Sequence, residues 1–509
     1  VATQPDKPAI IMADTGRSLT YAELEDHSVR LARVFAEAGL RRGDHVAILS
    51  DNSPEVYEFY WAGLRSGLYV TAVNNHLSAA ETAYIVDDCG ARVLVVAASL
   101  GELAEQIVEQ TPKVELRLAF GGDVPGYGSY EDALAGVSGE VPADQPRGTD
   151  MLYSSGTTGR PKGIKGVLPD RQVGEPGDVM TTVFGKLFGF GPDTVYYSPA
   201  PTYHAAPLRF GGMINALGGT LVLTKRFDAE QSLKIIQEHG VTHSQWVPTM
   251  FVRMLKLEDD VRLRYTHDTL KIAIHAAAPC PVEVKQKMLD WWGPVLHEYY
   301  GSTEGNGLTI IGPDDWAKKP GSVGRGALGV IHVCDAESGE ELPVGEDGVV
   351  YFEREEQPFE YHNDPEKTRE AQHPDHPLWS TTGDIGHLDT DGYLFLTDRK
   401  AFMIISGGVN IYPQEVEDCL TLHPKVLDVA VIGIPDPEMG EQVKAVVEPA
   451  PGTEPSPELA AELLDFVRAR IARYKAPRSI DFVDKLPRSQ TGKLVKHVLK
   501  KRYTEEAVS

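Results

Sequence analysis

Apolar positions recur at helical spacing from residue 20 to about Gly39, with Leu24, Leu31, Val34 and Phe35 on one side. Thr20 followed by Glu23 has the spacing of a capping box, in which each side chain satisfies the other residue's backbone N–H, so the pattern predicts a helix starting there. Runs at 45–49 and 92–98 are apolar and rich in β-branched residues, as strands covered on both faces should be. The same alternation returns near 220–250 and 270–300, which predicts layered α/β architecture. No internal repeat or long low-complexity tract interrupts it.

The texture changes after about residue 340. Short strand patterns occur at 348–353 and 393–397, followed by Asp398-Arg399-Lys400. A glycine pair, Gly407-Gly408, leads to Tyr412-Pro413-Gln414-Glu415, where Pro413 suits a first helical turn. Patterns for strands at 427–434, 442–448 and 479–484 and a helix at 457–472 complete a small α+β domain of about 110 residues. The chain therefore divides into a large layered α/β domain, 1–397, and a small C-terminal domain, 398–509, with the boundary at Asp398.

Length and charge narrow the function classes. A chain of 509 residues exceeds what one core supports, in agreement with two domains. No apolar run approaches the roughly 18–20 residues needed to cross a bilayer. The start, Val1-Ala2-Thr3-Gln4-Pro5, has neither the basic region nor the apolar core of a signal peptide, and it lacks an initiator Met. Cys89, Cys280, Cys334 and Cys419 stand far apart with no partner at metal-ligand spacing, which reads as reduced thiols in a cytoplasmic protein. A net charge of −25 argues against nucleic acid as a partner and requires any anionic ligand to meet a local basic site.

Such a site is offered by Tyr153-Ser154-Ser155-Gly156-Thr157-Thr158-Gly159-Arg160-Pro161-Lys162-Gly163. Glycines expose backbone N–H groups, and hydroxyls and cations stand among them, a combination suited to a triphosphate. Lys162 is followed by Gly163 rather than Ser or Thr, so this is not the common ATPase loop. Five further segments follow: Tyr299-Tyr300-Gly301-Ser302-Thr303-Glu304-Gly305, Thr382-Gly383-Asp384, Asp398-Arg399-Lys400, Gly407-Gly408-Val409-Asn410-Ile411-Tyr412-Pro413, and Thr491-Gly492-Lys493. Each alone reads as a turn. Together and in this order they resemble the adenylate-forming enzymes, most closely the acyl-CoA synthetases and aryl-CoA ligases.

The resemblance implies a fold of two domains, the smaller one mobile, and ATP-dependent activation of a carboxylic acid as its acyl-adenylate, then transfer to CoA with release of AMP. It implies phosphate contacts from Ser154, Ser155, Gly156, Thr157, Thr158, Gly159 and Lys162, with Lys493 placed between the acid and the α-phosphate. Thr303 would bond the α-phosphate, Glu304 would hold Mg²⁺, and Tyr300 would stack on adenine beside Ala277. Asp384 would hold the ribose, Arg399 would reach the ribose or the phosphate edge, and Gly407 and Gly408 would line the pantetheine route. A carboxylate suits a diol and a hard cation alike. His204, in Pro201-Thr202-Tyr203-His204, resembles the family histidine beside the acid, and reads equally as a structural histidine.

Trp246, Phe251, Gly307 and Leu308 are candidate pocket residues, and the acid itself stays open among fatty, aromatic and alicyclic classes. The chain departs from the family at Ile164-Lys165-Gly166-Val167-Leu168-Pro169-Asp170 and the Gly/Pro stretch 174–177. Twelve Lys or Arg stand against Asp481 and Asp484 over 468–502, either as a solvated face or as an attraction for ATP and CoA. The chain ends 16 residues after Lys493 with no appended carrier domain, which favours a free-standing ligase, while a carrier protein or another nucleophile remains the alternative acceptor. A nucleotide-binding protein without catalysis is the third reading, and a homodimer is a common symmetric outcome.

Overall fold

The computed structural model describes residues 4–154, 161–399, 402–406, 409–436, 439–487 and 494–508. Helix Tyr21–Glu37 begins as its spacing predicts: the Thr20 hydroxyl accepts from the Glu23 N–H, and the Glu23 carboxylate accepts from the Thr20 N–H at 2.8 Å. Strands His45–Leu49 and Ala91–Ala97 are parallel neighbours, buried almost throughout.

Among the described residues four sheets form. One has nine strands, and its parallel centre runs Pro8–Met12, Thr220–Leu223, Val195–Ser198, His243–Trp246, Ile272–His275, Leu296–Gly301. A second has eight strands and ends on the antiparallel series Thr149–Ser154, Lys162–Gly166, Phe359–Tyr361. Between these two sheets lie helices Tyr21–Glu37, Pro54–Leu64 and Ala205–Ala216, with Phe35, Tyr57, Phe59, Phe184 and Phe210 in one shared core. Burying each such ring fully contributes about 1.5–3 kcal/mol. Helix Ala205–Ala216 comes close to Pro54–Leu64 because Gly211 leaves room: a Cβ there would sit 2.1 Å from the Tyr57 hydroxyl oxygen.

The third sheet joins Val330–Cys334, Gly348–Glu353, Asp384–Leu388 and Leu394–Arg399. The chain leaves it after Arg399 and from Ile404–Ser406 onward builds a fourth, with Val409–Ile411, Gly440–Pro449, Val426–Asp436 and Ser479–Phe482. Pro413 opens helix Pro413–Thr421, as expected. The helix predicted over 457–472 stops at Arg468, since the chain turns at 473–475 to enter Ser479–Phe482. No helix among the described residues is long and apolar enough to cross a membrane. The fold is thus a large α/β domain followed by a small α+β domain.

Candidate active site

A cleft of about 2790 Å³ runs between the carboxyl ends of the nine-stranded sheet, the hairpin of the phosphate motif and the small domain. It exceeds the roughly 300–1,000 Å³ of a single small-ligand pocket and has room for a nucleotide beside an acid. Ser154 and Lys162 face each other across the hairpin and both line the cleft. Ser155, Gly156, Thr157, Thr158 and Gly159, between them, lie outside the described residues.

Strand Leu296–Gly301 delivers Tyr299 and Tyr300 to the cleft, and the turn after it delivers Thr303 and Glu304. The Tyr300 hydroxyl donates to Asp384 Oδ2 at 2.7 Å, and the Thr382 hydroxyl donates to the same oxygen at 2.8 Å. The proposed adenine ring contact and ribose carboxylate are therefore one hydrogen-bonded unit. Arg399 stands opposite Asp384 in the backbone register of the neighbouring strand, and its side chain lies outside the described residues. Ala277 lines the cleft with φ of 75°, a left-handed conformation that a residue bearing a Cβ adopts at a cost.

Glu304 accepts a hydrogen bond from the Tyr361 hydroxyl at 2.9 Å through Oε1, and Lys162 Nζ lies 5.2 Å from the centre of the Tyr361 ring. Strand Phe359–Tyr361 is paired with the phosphate hairpin, Tyr361 opposite Ile164, so Tyr361 couples the lysine to the carboxylate. Among the described residues no group of three His, Cys, Asp or Glu side chains could hold a metal ion. A single carboxylate facing the cleft, as Glu304 does, is nonetheless of the kind Mg²⁺ takes when phosphates and water complete its shell.

His204 lines the cleft at the N-cap position of Ala205–Ala216, where its side chain makes no capping bond. The loop before it is fixed by buried Asn52, which donates to Ala200 O at 3.1 Å and Thr224 O at 2.8 Å and accepts from Thr202 N at 2.7 Å. Of the candidate pocket residues, Gly307 and Leu308 line the cleft. Trp246 touches its wall while bonding its indole N–H to Ser244 at 2.7 Å. Phe251 does not reach it: the ring is wholly buried, 5.5 Å from His275 and 6.0 Å from Trp292. An apolar residue one turn after Trp246 points inward because helix Pro248–Leu255 packs that face on Val282–Trp292.

Gly307 is constrained from behind, since a Cβ there would lie 1.9 Å from the Phe352 ring. Gly307→Ala is expected to lose about 1–3 kcal/mol of stability through overpacking. Pairing it with Phe352→Leu should restore most of that in urea unfolding.

Beneath the cleft lies a polar cluster. Lys285, fully buried, donates to Glu298 Oε2 at 2.5 Å, and His275 Nε2 is 3.6 Å from the same oxygen. Burial pushes the Glu298 carboxyl above its ordinary range against the pull of Lys285. Burial first, then the Lys285 charge, push His275 well below its own. The basic stretch 468–502 is largely engaged within the small domain: Arg478 meets Asp436 at 2.9 Å, Lys496 meets Glu417 at 2.8 Å and Lys500 meets Glu441 at 2.7 Å. Lys493, Gly407 and Gly408 lie outside the described residues.

A family model described as AMP-binding enzyme matches residues 1–357, and that of the AMP-binding enzyme C-terminal domain matches 415–493. The chain belongs to the AMP-binding enzyme family. It is 32% identical over 507 residues to fatty acid–[acyl-carrier-protein] ligase ScoC of Streptomyces coeruleorubidus, covering 98% of this chain and 94% of that protein. Feruloyl-CoA synthase from an Amycolatopsis species is 33% identical over 497 residues, with 96% and 94% covered. The crystal structure of the anthranilate CoA ligase AuaEII with anthranoyl-AMP superposes with a TM-score of 0.85 at 26% identity, covering all of this chain (100%) and 96% of that one. Within the AMP-binding fold, Tyr361, Asn52 and the Lys285–Glu298 pair are what sequence reasoning missed. The aromatic–polar–aromatic run Phe359-Glu360-Tyr361 was the one local signal, and it marks a strand rather than a role.

Proposed function

We propose that the protein is an acid–CoA ligase that joins a carboxylic acid to AMP, releasing pyrophosphate, and then passes the acyl group to the CoA thiol. In the first step a carboxylate oxygen attacks the α-phosphorus and the bond to pyrophosphate breaks. In the second the CoA sulfur attacks the acyl carbonyl, its proton is lost, and AMP leaves. The observation that carries this reading is the meeting of Lys162, Tyr300, Thr303, Glu304 and Asp384 in one cleft.

Asp384 holds the ribose diol with Arg399, Tyr300 packs against the base beside Ala277, and the hairpin from Ser154 to Lys162 receives the phosphates. Thr303 donates to the α-phosphate, and His204 orients the acid. Glu304 would hold Mg²⁺, which when bound neutralises phosphate charge. Lys493 places positive charge between the two reacting anions, where it stabilises the transition state more than the separated reactants. The small domain turns about Asp398 between steps, withdrawing Lys493 and bringing Gly407 and Gly408 beside the pantetheine arm. We place the reaction in the cytoplasm, where ATP and CoA are both supplied.

The similarity to ScoC favours a second reading, in which a carrier-protein thiol replaces CoA. Pyrophosphate release across a panel of carboxylic acids, with CoA, with a carrier protein and with neither, separates the two. An acyl-CoA detected by mass supports the ligase. Thioester formed only on the carrier moves the acceptor, and nucleotide binding with no release over the panel overturns adenylation.

A further inference from the structure

The segment 164–177, expected from its sequence to depart from the family, and Asp178 just after it supply one wall of the cleft through Arg171, Val173 and Asp178. It is stitched to the chain before the phosphate motif: the Arg147 N–H donates to Arg171 O at 2.8 Å, and the Val173 N–H donates to Gln145 O at 2.8 Å. Asp178 caps helix Val179–Phe188 by accepting from Thr181 N at 2.7 Å.

Three arginines line this arm of the cleft, and two are engaged. Arg209 grips Asp150 through two nitrogens, Nη2 at 2.7 Å and Nε at 3.1 Å. Arg171 donates to Glu175 O at 2.6 Å and lies 3.5 Å from Asp178. Arg147 is different. Among the described residues its guanidinium donates no hydrogen bond, although its side chain is only 15% exposed; its carboxylate neighbour is Asp178, at 3.9 Å. Its other neighbour is the Trp61 ring, 5.7 Å away.

Arg171 pairs with Asp178 and Arg209 with Asp150, and the Glu175 carboxylate accepts from Gln172 N at 2.8 Å, so of the three guanidinium groups Arg147 is the one with hydrogen-bonding capacity to spare. None of its nitrogens is sealed from the cleft, so a ligand there can take their hydrogen bonds in place of water. Tyr60, Trp61, Met180, Phe184 and Met213 add apolar and aromatic side chains to the cleft wall, among polar ones such as Gln145 and Glu25. It connects to the turn that carries Thr303 and Glu304 through Tyr60, which donates to Asp150 at 3.3 Å, and Arg209, which lies 3.4 Å from Thr303 O.

We propose that Arg147 binds a second carboxylate on the substrate, so that the acid activated is a dicarboxylic acid with a ring or carbon chain between its two ends. A carboxylate takes a guanidinium fork through two parallel hydrogen bonds. A methyl group in its place leaves Arg147 desolvated and unpaired. The inference rests on the cleft being the adenylation site.

The test is pyrophosphate release from matched acids of equal length, aliphatic and aromatic, ending in carboxylate or methyl, with the wild-type protein, Arg147→Gln and Arg147→Lys. Wild type should prefer the best dicarboxylate over its methyl-ended partner by about 10²-fold or more in kcat/KM. Arg147→Gln should collapse that ratio to within about threefold, mainly through KM for the dicarboxylate, and Arg147→Lys should keep part of it. Equal or better turnover of methyl-ended acids by wild type overturns the inference and leaves adenylation standing. So does a Gln variant that loses both substrates in proportion. Release from no acid overturns the adenylation reading, and the inference with it.

Discussion

Lys493→Ala is expected to slow adenylate formation by about 10²–10³-fold, the range for losing one preorganised charge-stabilising group. Thioester formation from a supplied acyl-adenylate should change only a few-fold. Two anions, a carboxylate and an α-phosphate, must approach before a bond forms, and their repulsion is greatest where the charge of the departing pyrophosphate also develops. A cation at that point acts on the first reaction alone. In the second, the nucleophile is a thiol or thiolate attacking a carbonyl, and AMP leaves, its phosphate assigned on the proposed reading to Thr303 and the hairpin. Single-turnover measurement of each half-reaction separates the two. Equal loss in both would show that Lys493 has a structural role or serves both poses.

The second large effect lies below the cleft. Lys285→Ala is expected to cost about 3–5 kcal/mol, because it leaves Glu298 as an unpaired charge in the interior. Lys285 is fully buried and Glu298 nearly so, and the ammonium also lies 4.9 Å from the centre of the Trp316 ring. The loss should depend on pH with a definite sign. In the variant the folded Glu298 carboxyl titrates above the unfolded one, near 4.3. Stability is then retained below the unfolded value and falls as pH rises towards the folded one. The deficit should shrink in acid and grow as pH rises through the range in which the buried carboxyl ionises. Lys285→Met with Glu298→Gln removes both charges and should recover most of the loss in urea unfolding. A single variant within about 0.5 kcal/mol of wild type would mean that water reaches the pair.

How much of this was legible in the chain follows from the range over which each interaction acts. The Thr20–Glu23 cap and the strands His45–Leu49 and Gly348–Glu353 were readable because a cap spans three residues and a buried strand writes itself as an apolar run. The family was readable because its motifs keep their order. Tyr361 and Glu304 are 57 positions apart, and Arg209 and Asp150 are 59 apart, so neither pairing leaves a local pattern. Lys285 looks like any lysine on an amphipathic helix, and only the packing of Val282–Trp292 on Leu296–Gly301 turns it inward. Phe251 failed as a pocket residue for the same reason: an apolar side chain is equally at home in a core and on a cleft wall, and the choice is made by helix orientation.

The pairing of Pro8–Met12 with Thr220–Leu223 bears on how the chain is born. Strand Pro8–Met12 leaves the ribosome about 210 residues before its parallel neighbour, on the order of 10–40 s at 5–20 residues per second. During that interval an apolar segment waits with only the short strand Ser18–Thr20 beside it. Nascent chains halted before Thr220 should therefore be where chaperones are recruited, and synonymous codons that slow translation ahead of that strand should lower the yield of native protein without altering a single residue of the enzyme.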